Sequence, residues 1–209
     1  MEKTNRIFTF EIRAENDTEH GDFITGRPIV YGSQTNIGPF DEIIDKGALD
    51  NTDLRDVALM LNHDMSKLCL ARSRRNNANS TMQMSIDDMG MVIRANLDTE
   101  NNMDARALYS AIKRGDVSGM SFAFGVDGEE WENLETDHPT RHIRSISKVL
   151  ELSCVNFPAY EATSVEARSD VKALESARQV LDNTRREHEK EVREMKRKKL
   201  ELRLKLLEV

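Results

Sequence analysis

A serine in a strand-like segment is the first residue of this sequence that could do covalent chemistry. Residues 119–125 read Gly-Met-Ser-Phe-Ala-Phe-Gly, and the alternation of large and small side chains predicts a β-strand. In such a strand Ser121 shares one face with Ala123 and Gly125, and the large side chains share the other. We expect the large face to be buried and the serine hydroxyl to lie on a face that the small residues keep open. A serine becomes a nucleophile when a neighbouring base takes its proton.

The histidine best placed to take that proton is His63. It follows the apolar run 57–62, and a histidine at the end of a strand can project into a cleft and exchange protons near neutral pH. His142, at the beginning of a later predicted strand, is a competitor. The remaining histidines lie in a polar loop, an acidic insertion and the C-terminal segment (His20, His138 and His188). His63 is therefore the expected general base.

A carboxylate that orients the imidazole would complete a Ser-His-acid set. In the predicted strand 149–155, Glu151 lies on the face opposite to the apolar side chains. Asp64 is a weaker candidate because it adjoins His63, and sequence neighbours in a strand point to opposite faces. The third member stays open between Glu151, His142 and Asp64, with Glu151 preferred. Each of these patterns, taken alone, is also typical of a solvated strand or loop.

The signatures of other hydrolase classes are absent from the sequence. It contains no Gly-x-Ser-x-Gly turn, no His-Glu-x-x-His helix, no phosphate-binding glycine loop and no Cys-x-x-Cys pair. The sequence therefore disfavours an α/β-hydrolase or a metallopeptidase, and it predicts no metal and no cofactor. The basic cluster 72–75 is interpreted as surface charge, with an acidic partner or a role in an oxyanion-hole loop as alternatives.

The elements that must position these residues are mostly strands. Alternating or apolar segments predict strands near residues 8–12, 23–32, 40–49, 57–62, 81–86, 91–97, 120–126 and 149–155. Residues 87–90 predict a hairpin turn, and residues 99–114 predict a helix with Gly115 as its C-cap. An acidic insertion around 129–137 separates the last two strands. The sequence thus predicts a mainly β fold with a few helices.

Length and charge limit the classes of function. A chain of 209 residues suits one compact domain with an appendage, and its net charge of −7 argues against general nucleic-acid binding. Its two cysteines, Cys69 and Cys154, form no disulfide framework and have no metal-ligand spacing. No signal peptide and no apolar run of membrane-spanning length are visible. We expect an intracellular protein without membrane or nucleic-acid partners.

Residues 169–209 differ in composition from the rest of the chain. They contain no proline or glycine, and their 12 Lys/Arg against 9 Asp/Glu leave a charge of +3. A coiled coil needs two apolar positions in each seven-residue repeat. One of these positions is mostly apolar here, but the second is apolar in only half of the repeats. The first position is occupied by Leu174, Leu181, His188, Met195, Leu202 and Val209. The pattern predicts a long charged helix, with a partly frayed helix as the alternative. We divide the chain into a 1–168 domain that bears the chemistry and a separable 169–209 helical tail.

Several short segments, in this order and spacing, resemble tailed-phage prohead proteases of the HK97 type. They are Gly26, Tyr31-Gly32, Ile44-Asp45-Lys46-Gly47-Ala48-Leu49, Leu61-Asn62-His63-Asp64, Gly119-Met120-Ser121-Phe122-Ala123-Phe124 and Leu152-Ser153-Cys154-Val155-Asn156-Phe157-Pro158-Ala159-Tyr160. The resemblance covers roughly residues 20–168. It departs from the family pattern at Leu70-Ala71-Arg72, where a glycine-containing turn is frequent, and at Leu49, where an aromatic residue is usual.

The resemblance implies a serine endopeptidase that acts inside an assembling procapsid in the host cytoplasm. Such enzymes remove the scaffolding region of the major capsid protein, or digest a separate scaffold, and cleave themselves. The implied fold is a closed β-barrel with surrounding helices, like that of herpesvirus assemblin, with a long C-terminal helix added here. The matching positions make Ser121 the nucleophile and His63 the general base, and they place the acid at Glu151. Because the related viral fold uses a second histidine, His142 stays an alternative.

The expected partners are the capsid protein and scaffold as substrates, and further copies of the chain, because related viral proteases are dimeric. The basic tail suits recruitment by an acidic helix of the scaffold or capsid protein. The alternative function is a non-catalytic scaffold or capsid assembly protein that keeps a protease-like barrel. The presence of all three polar residues favours the enzyme.

Overall fold

The computed structural model describes residues 4–8, 12–18, 21–156 and 171–207, which form two β-sheets and two helices. The strands are β1 Thr4–Phe8, β2 Ile12–Asp17, β3 Gly21–Val30, β4 Gln34–Asn36, β5 Asp41–Ile44, β6 Asp56–Leu61, β7 Ala71–Arg74, β8 Met82–Asp87, β9 Gly90–Asn96, β10 Gly119–Glu132 and β11 Thr140–Val155. The helices are α1 Met103–Arg114 and α2 Val171–Leu207. The predicted combination of strands, a few helices and a long C-terminal helix is confirmed.

A long antiparallel hairpin of β10 and β11 is the central feature of the larger sheet. Its pairing runs from Gly119 opposite Val155 to Glu132 opposite Thr140, with several register shifts. The sequence had predicted two short strands separated by an acidic insertion around 129–137. That prediction was too short at both strands, because the acidic residues lie mostly on an exposed extension of the hairpin, where polar side chains face water without loss of pairing.

Strand β11 is also the strand on which the rest of the larger sheet is built. Its beginning pairs in parallel with β5, and its end, residues 151–154, pairs in parallel with residues 58–61 of β6. Strand β4 extends the sheet beyond β5, β7 extends it beyond β6, and β1 lies along the other edge of β10. Parallel neighbours need long crossover connections, so segments far apart in the sequence meet at the end of β11.

The smaller sheet is antiparallel, with the strand order β2-β3-β9-β8. Strands β8 and β9 are joined by a two-residue loop at Asp88 and Met89, so the predicted hairpin is confirmed. Strand β3 changes register against β9 between Gly26 and Ile29, next to Pro28, which has no N–H to donate to a strand ladder.

One hydrophobic core joins the two sheets and α1. Ile24 and Ile93 from the smaller sheet pack in the same cluster as Phe122 and Leu152 from the larger sheet and Leu108 from α1. Burial of each such side chain stabilises the fold by about 1.5–3 kcal/mol before the entropy of ordering is subtracted. The large face of β10 is therefore buried, as its alternation predicted.

Helix α1 begins and ends at residues that satisfy its terminal backbone groups. The Asn102 side chain accepts hydrogen bonds from the N–H groups of Asp104 and Ala105, so the helix begins at Met103 rather than at the predicted residue 99. Gly115, with φ of 82°, ends it in the left-handed conformation, as predicted.

Helix α2 is packed on the body of the protein only near its beginning. Ala177 and Leu181 are buried against Phe40, and the Arg185 guanidinium donates to the backbone carbonyls of Leu134 and Thr136. Further along, large apolar side chains are exposed to solvent (Met195, Leu200, Leu202 and Leu204). Among the described residues, no helix is long and apolar enough to cross a membrane.

Two features of the sequence lie outside the described residues. One is the segment Phe157-Pro158-Ala159-Tyr160, and the other is the expected boundary between residues 168 and 169.

Candidate active site

Three neighbouring strands bring Ser121, His63 and Glu151 together. Ser121 lies on β10 and Glu151 on β11, where Ser121 is opposite Ser153 and Ala123 is opposite Glu151. Because side chains alternate along paired strands, Ser121 and Glu151 share one face of the hairpin. His63 comes from the other side of β11, two residues after the end of β6.

The imidazole of His63 lies between the serine hydroxyl and the carboxylate. Its Nε2 is 2.7 Å from Ser121 Oγ, and its Nδ1 is 2.5 Å from Glu151 Oε1. An ionised carboxylate only accepts hydrogen bonds, so Nδ1 carries the proton and donates to Glu151. In the neutral ring Nε2 then has a free lone pair and accepts a hydrogen bond from the Ser121 hydroxyl. This geometry is that of a serine prepared for deprotonation.

A left-handed turn, rather than a continued strand, delivers His63. Asn62 and His63 have φ values of 49° and 59°, a conformation that asparagine tolerates better than most residues. The Asn62 N–H donates to the Cys154 carbonyl (2.9 Å), and the Asn62 side-chain oxygen accepts from the N–H of Asn156 (3.1 Å). The end of β11 therefore holds the turn at both its backbone and its side chain.

The site is more enclosed than the sequence indicated. Ser121, Ala123 and Glu151 are fully buried, whereas the His63 side chain keeps 18% of its surface exposed. The expectation of an open face on the small-residue side of β10 is wrong, because the His63 turn folds over that face. Enclosure has a chemical benefit, since hydrogen bonds and charge interactions are stronger where water is excluded.

The two alternative third members bind other groups. The Asp64 carboxylate accepts hydrogen bonds from the backbone N–H and the hydroxyl of Ser66, which lower its pKa. His142 lies at the beginning of β11 with its Nδ1 3.1 Å from Asp45. Of the three carboxylate and imidazole candidates, Glu151 is the one whose side chain contacts His63.

Sequence reasoning missed a fourth polar side chain, that of Ser153. It is fully buried, accepts from the backbone N–H of His63 at 3.1 Å and donates to Glu151 Oε2 at 2.7 Å. The available signal was its position two residues after Glu151, on the same face of the strand.

The buried thiol of Cys154 is not an alternative nucleophile. Burial raises the pKa of Cys154 to about 12, so the thiol stays protonated at neutral pH. Because the thiolate is the reactive form of cysteine, Cys154 in this state is a poor nucleophile.

The basic cluster 72–75 lies largely on β7, on the far side of β6 from β11. Arg72 donates two hydrogen bonds to the Asp56 carboxylate at 2.7 Å, and this partner raises the pKa of Arg72.

Comparisons with known proteins agree with this geometry. The family described as Caudovirus prohead serine protease matches residues 8–177, a span that includes the residues that meet at the site. The prohead protease of Enterobacteria phage HK97 is 28% identical over 181 residues, which cover 85% of this chain and 73% of that protein. No solved structure matches the chain. The chain therefore belongs to the caudovirus prohead serine protease family, the serine peptidases of phage procapsid maturation.

Proposed function

We propose that this prohead protease uses Ser121 as nucleophile, His63 as general base and acid, and Glu151 as the residue that orients His63. The observation that supports these roles is the unbroken series of contacts from Ser121 Oγ, through both imidazole nitrogens, to Glu151. A serine, an imidazole and a carboxylate in this order recur in hydrolases of unrelated folds, because the chemistry requires their geometry and not a particular scaffold.

The roles follow from the direction of each proton transfer. Ser121 Oγ attacks the scissile carbonyl carbon while His63 Nε2 takes the hydroxyl proton. The imidazolium returns that proton to the amide nitrogen, the C–N bond breaks and the amine leaves. Water then attacks the acyl-enzyme, His63 takes a proton from it, and Ser121 regains a proton as the carboxylic acid product leaves. Glu151 stabilises the imidazolium at both stages.

We further propose that the substrate is the scaffolding region of the major capsid protein or a separate scaffold, and that the enzyme cleaves itself. The name of the HK97 relative, prohead protease, supports a substrate that belongs to the immature capsid. Confinement inside the procapsid in the host cell would restrict cleavage to the proteins that are concentrated beside the enzyme.

The proposed organisation is a peptidase domain of residues 1–168 and a tail of residues 169–209. The first turns of α2 contact the body, so the segment free to bind partners begins after Arg185. That segment has exposed Met195 and Leu202 and the basic run 196–199. It suits an acidic helix of the scaffold or capsid protein, and the whole enzyme is proposed to act as a homo-oligomer.

The two sheets are proposed to close into a barrel of the herpesvirus-protease type. The shared core supports this proposal, and so do contacts between β7 of the larger sheet and β8 of the smaller. The backbone N–H groups of Arg72 and Arg74 donate to the hydroxyls of Thr81 and Ser80, which lie just before β8. A crystal structure would test closure through the hydrogen bonds between these two edges.

The catalytic roles are tested by labelling with a fluorophosphonate probe and by intact-mass analysis. The unmodified chain should be labelled at Ser121 and should yield defined fragments, whereas Ser121→Ala should stay whole and unlabelled. Ser118→Ala, at an exposed serine three residues away, is the matched control and should behave as the unmodified chain. Absence of labelling and cleavage in every variant, even with capsid protein present, would favour the non-catalytic assembly protein.

A further inference from the structure

We propose that Ser153 is a positioning residue of the active site, which ties the backbone of His63 to the carboxylate of Glu151. This inference rests on the proposed roles of Ser121, His63 and Glu151. It goes beyond them because it assigns a function to a residue that has no part in the proposed proton transfers.

The direction of each hydrogen bond at Ser153 is fixed by its partners. A backbone N–H can only donate, so Ser153 Oγ must accept from His63, 3.1 Å away. The hydroxyl proton is then available for Glu151 Oε2, 2.7 Å away. A carboxyl oxygen that accepts this hydrogen bond carries no proton of its own, so the arrangement favours the ionised carboxylate.

These bonds close a ring that begins and ends at His63. The backbone N–H of His63 donates to Ser153, Ser153 donates to one oxygen of Glu151, and the other oxygen accepts from His63 Nδ1 at 2.5 Å. The backbone N–H and the imidazole ring of His63 are thereby both hydrogen-bonded to residues of β11. With Nδ1 held as a donor, Nε2 is held as the acceptor that faces Ser121 at 2.7 Å.

The pairing of the strands explains why position 153 can do this. Ser153 lies opposite Ser121 on β10 and beside Met60 on β6, so it is next to both the nucleophile strand and the turn that carries His63. His63 has a left-handed φ of 59°, and its backbone N–H donates to the Ser153 hydroxyl. An unpaired backbone N–H inside a protein is destabilising, so the Ser153 hydroxyl also satisfies that group.

Ser153→Ala tests the inference through the rate at which the fluorophosphonate labels Ser121. Alanine is smaller than serine, so it needs no extra space in the buried strand. We expect the maximal labelling rate to fall by about 10- to 100-fold, as for loss of a hydrogen bond to a charged group. The probe concentration at half-maximal rate should change little, because the hydroxyl acts on His63 and Glu151 and not on probe binding.

A second pair of variants separates the hydroxyl from the shape of the side chain. Ser153→Thr keeps the hydroxyl and Ser153→Val does not, although their side chains have the same shape. Threonine should retain most of the labelling rate, whereas valine should behave as alanine. Ser73→Ala, which removes a fully buried strand hydroxyl with no hydrogen-bond partner among the described residues, should leave the labelling rate unchanged.

The outcomes distinguish this inference from the function on which it rests. If the unmodified chain is not labelled at Ser121, the proposed catalytic roles fail and the inference fails with them. If it is labelled, but the alanine and valine variants react at its rate, only the role of Ser153 is overturned. Equally slow labelling of the threonine and valine variants would mean that position 153 acts through packing alone, and would also overturn the proposal.

Discussion

At the scale of single residues, Glu151 is the group whose chemistry is most constrained by its surroundings. It is fully buried, and its two oxygens accept from two different donors, His63 Nδ1 and the Ser153 hydroxyl. Glu151→Gln preserves the shape but replaces one acceptor by an amide donor, so one of those two hydrogen bonds must be lost. We expect fluorophosphonate labelling of Ser121 to fall on the order of 10³-fold or more, the scale known for serine proteases that lose the orienting acid.

Glu130→Gln is the matched control for that prediction. Glu130 lies on the exposed part of β10, where it binds Arg144, and its replacement should leave labelling unchanged. Near-UV circular dichroism would show that both variants keep their packing. Labelling of Glu151→Gln within tenfold of the unmodified chain would mean that the orienting acid is elsewhere.

The residues that meet at the candidate site were more predictable than their surroundings. Alternation within a strand is local, and it was enough to select Ser121 and Glu151 from their own neighbours. It did not reveal that the small-residue face of β10 is covered, because the covering turn at His63 arrives through the parallel pairing of β6 with β11. Ser153 was missed for the same reason, since its two partners become visible only when that pairing is known.

At the scale of elements, the hairpin of β8 and β9 depends on one glycine. Gly90 has φ of 132°, and an added Cβ would lie 2.1 Å from the carbonyl oxygen of Ile29 on β3. Gly90→Ala should therefore strain the backbone and push two paired strands apart, at a cost of about 2–5 kcal/mol. Urea unfolding followed by circular dichroism would measure this loss.

Gly32→Ala provides the comparison that isolates the close contact. Gly32 also has a positive φ, 70°, but an added Cβ would meet no atom within 4 Å. That variant should lose only about 1 kcal/mol, the cost of a left-handed conformation for alanine. Equal losses for the two variants would show that the contact with Ile29 has no effect on stability.

Elements with local signals were predicted well, and those that depend on distant partners were not. The hairpin turn and the end of α1 at Gly115 follow from residues within a few positions of each other, and both are confirmed. The short strands β4 and β7 were missed, because each has only three or four residues and becomes a strand by pairing with a neighbour. The long extension of the β10–β11 hairpin was missed because its polar composition is typical of a loop.

At the scale of the whole molecule, the first turns of α2 pack on the body of the protein, and the rest of the helix is exposed to solvent. Truncation after Arg186 removes the exposed part but keeps Ala177, Leu181 and Arg185, which contact the body. The truncated enzyme should therefore melt at the same temperature as the full chain and be labelled at the same rate. If the exposed segment binds scaffold or capsid protein, the truncated enzyme should be lost from procapsids isolated after co-expression.

Truncation after Ser176 is the companion experiment, because it also removes the packed turns. Phe40 would lose the cover of Ala177 and Leu181, and burial of apolar surface of that size is worth about 1–3 kcal/mol. The melting temperature should fall for this variant alone. Normal entry into procapsids of the enzyme that ends at Arg186 would exclude recruitment by the exposed part of the tail. A loss of labelling in that enzyme would instead show that the exposed helix supports the active site. The solvent exposure of Met195, Leu200 and Leu202 argues against such a role.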